Sequence, residues 1–130
     1  MRPATIMLPP GDMEAIGIIE FVHGMCEHRN RYNHVLKYFS DKGFICAIAD
    51  IKGHGENILT PDDYGYFGED GYKGLIQDID DYTTFLKREY PNLPLILIGH
   101  SMGSLLVRGY IKKNSEKIDA LVVCGSPSEN

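Results

Sequence analysis

The chain has 130 residues and a formal net charge of −5 at pH 7, which argues against nucleic-acid binding because phosphate groups require a basic protein face. Apolar residues make up 43% of the sequence and charged residues 24%, a balance typical of one soluble domain with a modest core. No apolar run approaches the roughly 20 residues of a transmembrane segment, and the first residues lack the apolar core of a signal peptide.

Apolar runs alternate with amphipathic segments along the chain. Residues 15–22 predict a strand, preceded by a turn at residues 9–12 and by an edge strand at residues 4–8. A helix is predicted next, because apolar side chains recur with helical spacing. These side chains are Tyr32, Val35, Leu36 and Phe39. Gly43 is expected to end this helix.

The second half of the chain continues the alternation. A buried strand is predicted at residues 44–50, and a polar stretch rich in Gly and Tyr follows over residues 52–71, too long for a simple connection. An amphipathic helix ended by Pro91, a strand, a helix and a last strand complete the pattern. The helix is marked by Leu75, Ile79, Tyr82 and Leu86, and the later elements are predicted at residues 95–99, 102–113 and 120–125.

This order of elements predicts the α/β class, with a parallel sheet covered by helices on both faces. In such folds the functional crevice lies at the carboxyl ends of the strands. The residues at those ends are His23, Gly24, Asp50, Gly99, His100, Ser101, Gly125 and Ser126. We therefore expect the chemistry of the protein at this edge of the sheet.

The sequence GHSMG (residues 99–103) fits the G-x-S-x-G pattern of a nucleophile elbow, between a buried strand and a helix. Gly99 and Gly103 are required because larger side chains would collide in so sharp a turn, and Ser101 is expected to have a strained backbone. The turn would present the Ser101 hydroxyl above the sheet, near the backbone N–H of Met102 and the positive end of the helix. The alternative, a serine in a nucleotide-binding turn, has little support because no phosphate-binding motif is present. We predict no cofactor and no metal site.

Three segments carry a family resemblance: HGMCEHRNRY (residues 23–32), DIKGHGEN (residues 50–57) and GHSMG. In this order they resemble the monoacylglycerol lipase and lysophospholipase branch of the α/β-hydrolases, also described as serine-aminopeptidase-like. The resemblance covers almost the whole chain. It implies an α/β-hydrolase fold and hydrolysis of a small-molecule or lipid ester through an acyl-enzyme.

The same resemblance implies roles for individual residues. Ser101 would be the nucleophile, and the backbone N–H groups of Met25 and Met102 would form the oxyanion hole. Gly24 would serve the oxyanion loop, as Gly99 and Gly103 serve the elbow.

Other residues are implied to be structural. Asp50 and the Gly-His-Gly at residues 53–55 match a turn at the base of the site. His23, His28 and His54 are expected to form structural hydrogen bonds, and His100 is expected to point away from Ser101. The sequence departs from the family pattern at Ile51, Lys52 and Asn57. Among the charged residues, we interpret Glu27, Asp78, Asp80 and Asp81 as solvated or locally paired. Residues 64–67, rich in aromatic side chains, either line a substrate entrance or pack under the long loop.

The three cysteines, Cys26, Cys46 and Cys124, leave an odd thiol and lack metal-ligand spacing. Cys46 and Cys124 lie in apolar runs, so we expect both to be buried. For Cys26, an unreactive thiol is favoured over a reactive one. This usage predicts a reduced, cytoplasmic protein.

Serine hydrolysis also needs an imidazole and a carboxylate, which in α/β-hydrolases follow the serine in the order acid, then histidine. After Ser101 the sequence contains the acids Glu116, Asp119 and Glu129 but no histidine. Glu116 and Asp119 precede the last strand and so lie at the wrong end of the sheet, while the family places its acid after a later strand than the one before Glu129. The resemblance therefore implies that residues 1–130 are the N-terminal half of a single α/β-hydrolase domain, truncated before the cap and the last strands.

Two alternatives stay open. The chain could be a catalytically incomplete fragment or a non-catalytic scaffold that binds a partner, such as the missing C-terminal half, through its open sheet edge. The same fold and nucleophile also serve peptidases and acyltransferases.

Overall fold

A computed structural model describes residues 2–63 and 65–127 of the chain. In this part, one sheet has the strand order β1-β3-β2-β4-β5. Its strands are β1 (Ala4–Met7), β2 (Gly17–Val22), β3 (Phe44–Ala49), β4 (Leu95–His100) and β5 (Ala120–Cys124). The helices are α1 (Asn33–Ser40), α2 (Gly71–Glu89) and α3 (Met102–Asn114), and 3₁₀ turns lie at Arg29–Tyr32, Gly55–Asn57, Pro61–Asp63 and Ser115–Lys117. The predicted strands and helices are confirmed.

The sheet is mixed, which corrects the expectation of a parallel sheet. Strands β2, β3, β4 and β5 are parallel to one another, whereas β1 pairs with β3 antiparallel, with Ala4 opposite Ala49. A parallel crossover needs a dozen or more residues and usually a helix. Residues 8–16, which connect β1 to β2, include no helix, so β1 joins the edge in the opposite direction.

Helices cover both faces of the sheet, as predicted. On one face, α2 and α3 enclose the larger core, where Leu86, Leu97 and Val107 are fully buried. On the other face, α1 packs Leu36 against β2 and β3. Because β2 lies between β3 and β4, every one of its residues is buried, which accounts for its apolar sequence outside Glu20.

Strand β5 is largely exposed. The expectation that Cys124 is buried is therefore wrong, whereas Cys46 in β3 is buried as predicted. The difference follows from position: β3 lies between β1 and β2, while β5 is an edge strand of the described sheet. Burial raises the pKa of the Cys46 thiol to about 12, so it stays protonated and inert.

The strand order brings two loops together. Strands β2 and β4 are direct neighbours, and Val22 at the end of β2 stands opposite Gly99 near the end of β4. The chain leaves β2 toward β3 on one side and β4 lies on the other, which makes this position a topological switch point. The loop after β2 and the turn after β4 are thus adjacent.

One charged residue interrupts the buried strand β2. The Glu20 side chain is 1% exposed, and its Oε1 accepts a hydrogen bond of 2.7 Å from the Thr83 hydroxyl on α2. Burial raises the pKa of Glu20 from its ordinary value of 4.5 to about 7, against smaller lowering effects of Thr83 and Arg2. The folded protein therefore binds a proton more strongly than the unfolded chain between these two pH values, and it loses stability as the pH rises through this window.

Replacing Glu20 with Gln should remove this pH dependence, because the amide is neutral and nearly the same shape. We expect the free energy of unfolding of Glu20→Gln, relative to the parent chain, to increase by on the order of 3 kcal/mol between pH 4.5 and pH 7. Urea denaturation across this range measures the difference. The lowered pKa of His23 acts in the opposite direction in both proteins and cancels. A difference in the free energy of unfolding between the two proteins that stays constant over this pH range would contradict the raised pKa of Glu20.

Candidate active site

Ser101 occupies the turn between β4 and α3 with φ 55° and ψ −117°. A positive φ is uncommon outside glycine and persists only where surrounding contacts enforce it. Here the Ser101 N–H donates to the Cys124 carbonyl at 2.9 Å, and the Ser101 carbonyl accepts from the Ser104 N–H at 2.9 Å. The predicted strained backbone is confirmed, and contacts on both sides hold it.

Two glycines permit this turn. A Cβ on Gly103 would overlap the Val22 carbonyl oxygen and lie 2.6 Å from that of His23. A Cβ on Gly99 would overlap Gly103 and lie 2.7 Å from Cγ2 of Val107. The predicted need for both glycines is confirmed. The close contact of Gly103 with the end of β2 brings together two elements that are far apart in sequence. The GHSMG motif alone does not reveal this contact.

The loop after β2 lies directly against the elbow. A Cβ on Gly24 would be 3.1 Å from the Ser101 Cβ and 3.2 Å from the His100 carbonyl oxygen. Met25 follows Gly24 in this loop, and Met102 is the first residue of α3, where backbone N–H groups lack intrahelical acceptors. The two predicted donor residues thus flank the contact between Gly24 and Ser101.

A buried carboxylate anchors the neighbouring loops. The Asp50 side chain is fully buried, pairs with the Arg29 guanidinium, and accepts backbone N–H groups of Arg29 at 2.8 Å and Glu56 at 3.0 Å. Asn57, where the sequence departs from the family pattern, donates its amide to the Asp50 carbonyl at 2.8 Å. Asp50 thus has the structural role expected of this turn, and Asn57 adds a further hydrogen bond to it.

Two of the three predicted structural histidines are confirmed. The His23 ring uses both nitrogens, because Nδ1–H donates to the Gly24 carbonyl at 2.8 Å and Nε2 accepts the Ile51 N–H at 3.0 Å. Burial lowers the pKa of His23, which keeps this ring neutral. His54 donates from Nδ1 to the Lys52 carbonyl at 3.1 Å. Among the described residues, His28 forms no side-chain hydrogen bond, so the expectation fails for it.

The His100 ring faces the loop after β2. Its Nδ1 lies 3.2 Å from the Glu27 carboxylate. Glu27 is therefore locally paired, as interpreted, but its partners belong to the site itself. The position of Glu27 in the sequence does not reveal this pairing, because His100 is 73 residues further along the chain. Asp80 is also locally paired, with Lys117 at 2.7 Å.

Two hollows adjoin the elbow and its loop. One of about 570 Å³ lies between the loop after β2 and the long loop, and it is lined by Met25, Cys26, Glu27, His28, Gly53, His54, Gly55, Ile58 and Gly65. The other, of about 450 Å³, is mostly apolar, and Phe21, Phe39, Ile98 and Val122 contribute to its wall. Phe67 stacks on the His54 ring with 5.9 Å between centroids, which favours packing over an entrance role for this aromatic residue. Tyr64 lies outside the described residues.

The acids after Ser101 are placed away from the elbow or undescribed. The Asp119 carboxylate accepts the Leu95 N–H at 2.8 Å, at the amino end of β4, which confirms the predicted wrong end of the sheet. Glu129 lies outside the described residues. Within residues 2–63 and 65–127, no group of three His, Cys, Asp or Glu side chains is placed to hold a metal ion, and no helix has both the length and the apolar character to cross a membrane.

The family model described as "serine aminopeptidase, S33" matches residues 13–128. The chain belongs to this family of α/β-hydrolases, in the monoacylglycerol lipase branch. Monoacylglycerol lipase of Mycolicibacterium smegmatis is 29% identical over 118 residues, which are 88% of this chain and 39% of that protein. The 130-residue chain thus spans well under half the length of this relative.

Solved structures agree with this assignment. A thermostable carboxyl esterase from Bacillus coagulans, in complex with glycerol, is 34% identical with a TM-score of 0.86 over 94% of this chain and 39% of that one. Monoglyceride lipase of Saccharomyces cerevisiae, at 20% identity, has a TM-score of 0.79 over 95% of this chain and 40% of that chain. The second likeness concerns the fold alone. The predicted α/β-hydrolase fold is confirmed.

The anchor at Asp50 can be tested with two matched amide substitutions around Arg29. Asp50→Asn leaves the Arg29 guanidinium beside a buried neutral group, and we expect it to lower the free energy of unfolding by about 3–5 kcal/mol. Glu56→Gln removes the other Arg29 partner, whose side chain is 62% exposed, and should cost less than about 1 kcal/mol. Urea denaturation of both variants measures this. Equal losses would show that Asp50 does not anchor these loops.

Proposed function

We propose that this chain carries the nucleophile of a serine hydrolase that cleaves carboxylic esters of the acylglycerol or lysophospholipid type. The observation that carries the proposal is the strained conformation of Ser101, φ 55° and ψ −117°, at the start of α3. Strain is retained where the structure over-determines a functional geometry. This one points to a hydroxyl held in place for attack.

In the proposed reaction, the Ser101 Oγ attacks the ester carbonyl carbon while its proton passes to an imidazole. The oxyanion of the tetrahedral intermediate is bound by the backbone N–H groups of Met25 and Met102. The intermediate collapses, the alcohol leaves with the proton, and the acyl group stays on Ser101. Water then attacks this acyl-enzyme and releases the fatty acid. Gly24, Gly99 and Gly103 allow the close backbone approach that the oxyanion hole requires.

The substrate class follows from the family and the surroundings of Ser101. A relative of this chain is named monoacylglycerol lipase, another is named phospholipase, and the Bacillus coagulans esterase structure contains glycerol. The mostly apolar hollow beside the elbow suits a hydrocarbon chain. A lipid ester with a small polar alcohol fits these features together.

We further propose that residues 1–130 are the N-terminal half of one domain, and that the triad acid and histidine come from its remaining part. No histidine follows Ser101 in the sequence. Each of the similar proteins described above is more than twice as long as the segment that matches this chain. In this proposal the remaining part pairs with β5, where Val122 and Val123 are 40% and 43% exposed. The free thiols Cys26, Cys46 and Cys124 fit a reducing, cytoplasmic location.

The exposed edge of β5 also favours a second candidate function. Unpaired backbone groups on an edge strand can bind another chain. By itself, the 130-residue chain would then be a non-catalytic scaffold or a complementing half. In the first proposal Ser101 is activated when the acid and histidine are supplied. In the second it is never activated.

Labelling with a fluorophosphonate, which reacts with activated serines, tests the proposal. The 130-residue chain, its Ser101→Ala variant and a form extended to include a late acid and histidine are compared by gel fluorescence. We expect labelling of the extended form alone, or far more strongly, and its complete loss in Ser101→Ala. Labelling that survives Ser101→Ala would refute Ser101 as the nucleophile. Equal labelling of the short and extended forms would show that a base lies within the 130 residues.

A further inference from the structure

The Glu27 carboxylate connects three different elements around the elbow. Its Oε2 accepts hydrogen bonds from the Tyr32 hydroxyl at 2.5 Å and from the Gly24 N–H at 3.4 Å. Its Oε1 lies 3.2 Å from Nδ1 of His100, the residue before Ser101. The side chain is only 19% exposed. One carboxylate thus links the loop after β2, the 3₁₀ turn before α1 and the last residue of β4.

We infer that Glu27 is the positioning residue of the oxyanion loop: its carboxylate holds the Gly24 peptide against the elbow, so that the adjoining Met25 N–H is fixed beside Ser101. This inference rests on the proposed function for its catalytic meaning. Its structural content, a loop held by one ionised side chain, can be measured separately. Glu27 does not contact the reacting atoms and acts through the backbone.

The loop needs such a restraint. Between Gly24 and Glu27 the chain turns, and Cys26 has φ 62°, a left-handed conformation that disfavours a side-chain-bearing residue. The Met25 side chain is 55% exposed and contributes little packing to hold the turn. The bond from Gly24 N–H to Glu27 spans this turn, and the contacts to Tyr32 and His100 fix the carboxylate from two other directions.

The carboxylate must be ionised to accept from all these groups. Burial raises the pKa of Glu27, but the hydrogen bonds from Tyr32 and Gly24 and the nearby His100 and His23 lower it more, so that the net pKa is below its ordinary value. The pKa of Tyr32 is raised by burial and by Glu27, so its hydroxyl stays a donor. Arg31 and His34 line the same hollow as Glu27. The restraint is therefore intact near neutral pH and is lost in acid, as the pH falls through the lowered pKa.

Amide NMR of the 130-residue chain tests the restraint without requiring activity. In the parent chain, we expect the Gly24 and Met25 amide signals to shift together with protonation of Glu27, below pH 4.5. Glu27→Gln should abolish that titration at both amides and raise hydrogen exchange at the Gly24 amide about tenfold, the effect of one lost hydrogen bond to a charged group. Exchange at Leu97, in the core, should stay unchanged.

Glu56→Gln is the matched control, because it removes another carboxylate near the site, and its partner Arg29 lies beyond the turn from Gly24 to Glu27. It should leave the Gly24 and Met25 signals unaffected. Unchanged exchange at the Gly24 amide in Glu27→Gln, or a parent chain in which the Gly24 and Met25 signals do not shift during acid titration, overturns the inference.

Binding of an alkyl boronic acid to the form extended to include a late acid and histidine, followed by ¹¹B NMR, separates this inference from the proposed function. If Ser101 forms the tetrahedral adduct, Ser101→Ala should abolish it and Glu27→Gln should weaken it about tenfold. An adduct of equal affinity in Glu27→Gln contradicts the positioning role. If the extended form gives no adduct, the result counts against Ser101 as the nucleophile, and the amide measurements on the 130-residue chain still decide whether Glu27 holds the loop.

Discussion

The close contact between the start of α3 and the end of β2 is the constraint on which the site depends. Gly103 lies so near the Val22 and His23 carbonyls that no side chain fits between them. Because α3 begins immediately against β2, the chain has a single residue, Ser101, in which to turn from β4 into the helix. That residue takes a positive φ, and its position over the carboxyl end of the sheet follows from the turn rather than from contacts of its own side chain.

The loop after β2 is fitted to this turn by side chains that carry no reaction. The His23 side chain bonds both Gly24 and the residue after Asp50. The Asp50 carboxylate accepts backbone N–H groups from two loops. The Glu27 carboxylate contacts both Gly24 and His100. The contacts of His23 and Asp50 are hydrogen bonds with fixed geometry. An oxyanion hole gains its effect from donors that are already oriented before the reaction, and in the proposed reaction this polar framework would supply that orientation.

Much of this architecture could be predicted from the sequence. Short runs of mostly apolar residues marked β2 to β5, as is typical of a parallel sheet covered by helices, and the GHSMG turn was recognisable because its glycines are locally required. The rest depends on contacts between distant residues. The antiparallel direction of β1, the exposure of Cys124 at an edge and the pairing of Glu27 with His100 all depend on which element lies beside which. Glu20 shows the same limit: a charge within an apolar run gives no sign of its buried partner on α2.

The most direct test of the central constraint is the stability of Gly103→Ala, measured by urea denaturation beside Leu105→Ala, a substitution at a 40% exposed position on the same helix. Alanine favours a helix over glycine by roughly 1 kcal/mol, so without the contact to β2 the variant would be stabilised. With the contact, the added methyl group forces α3 away from β2, and we predict a net loss of at least about 2 kcal/mol in the free energy of unfolding, against less than about 1 kcal/mol for Leu105→Ala. A Gly103→Ala variant as stable as the parent chain, or more stable, would contradict the account.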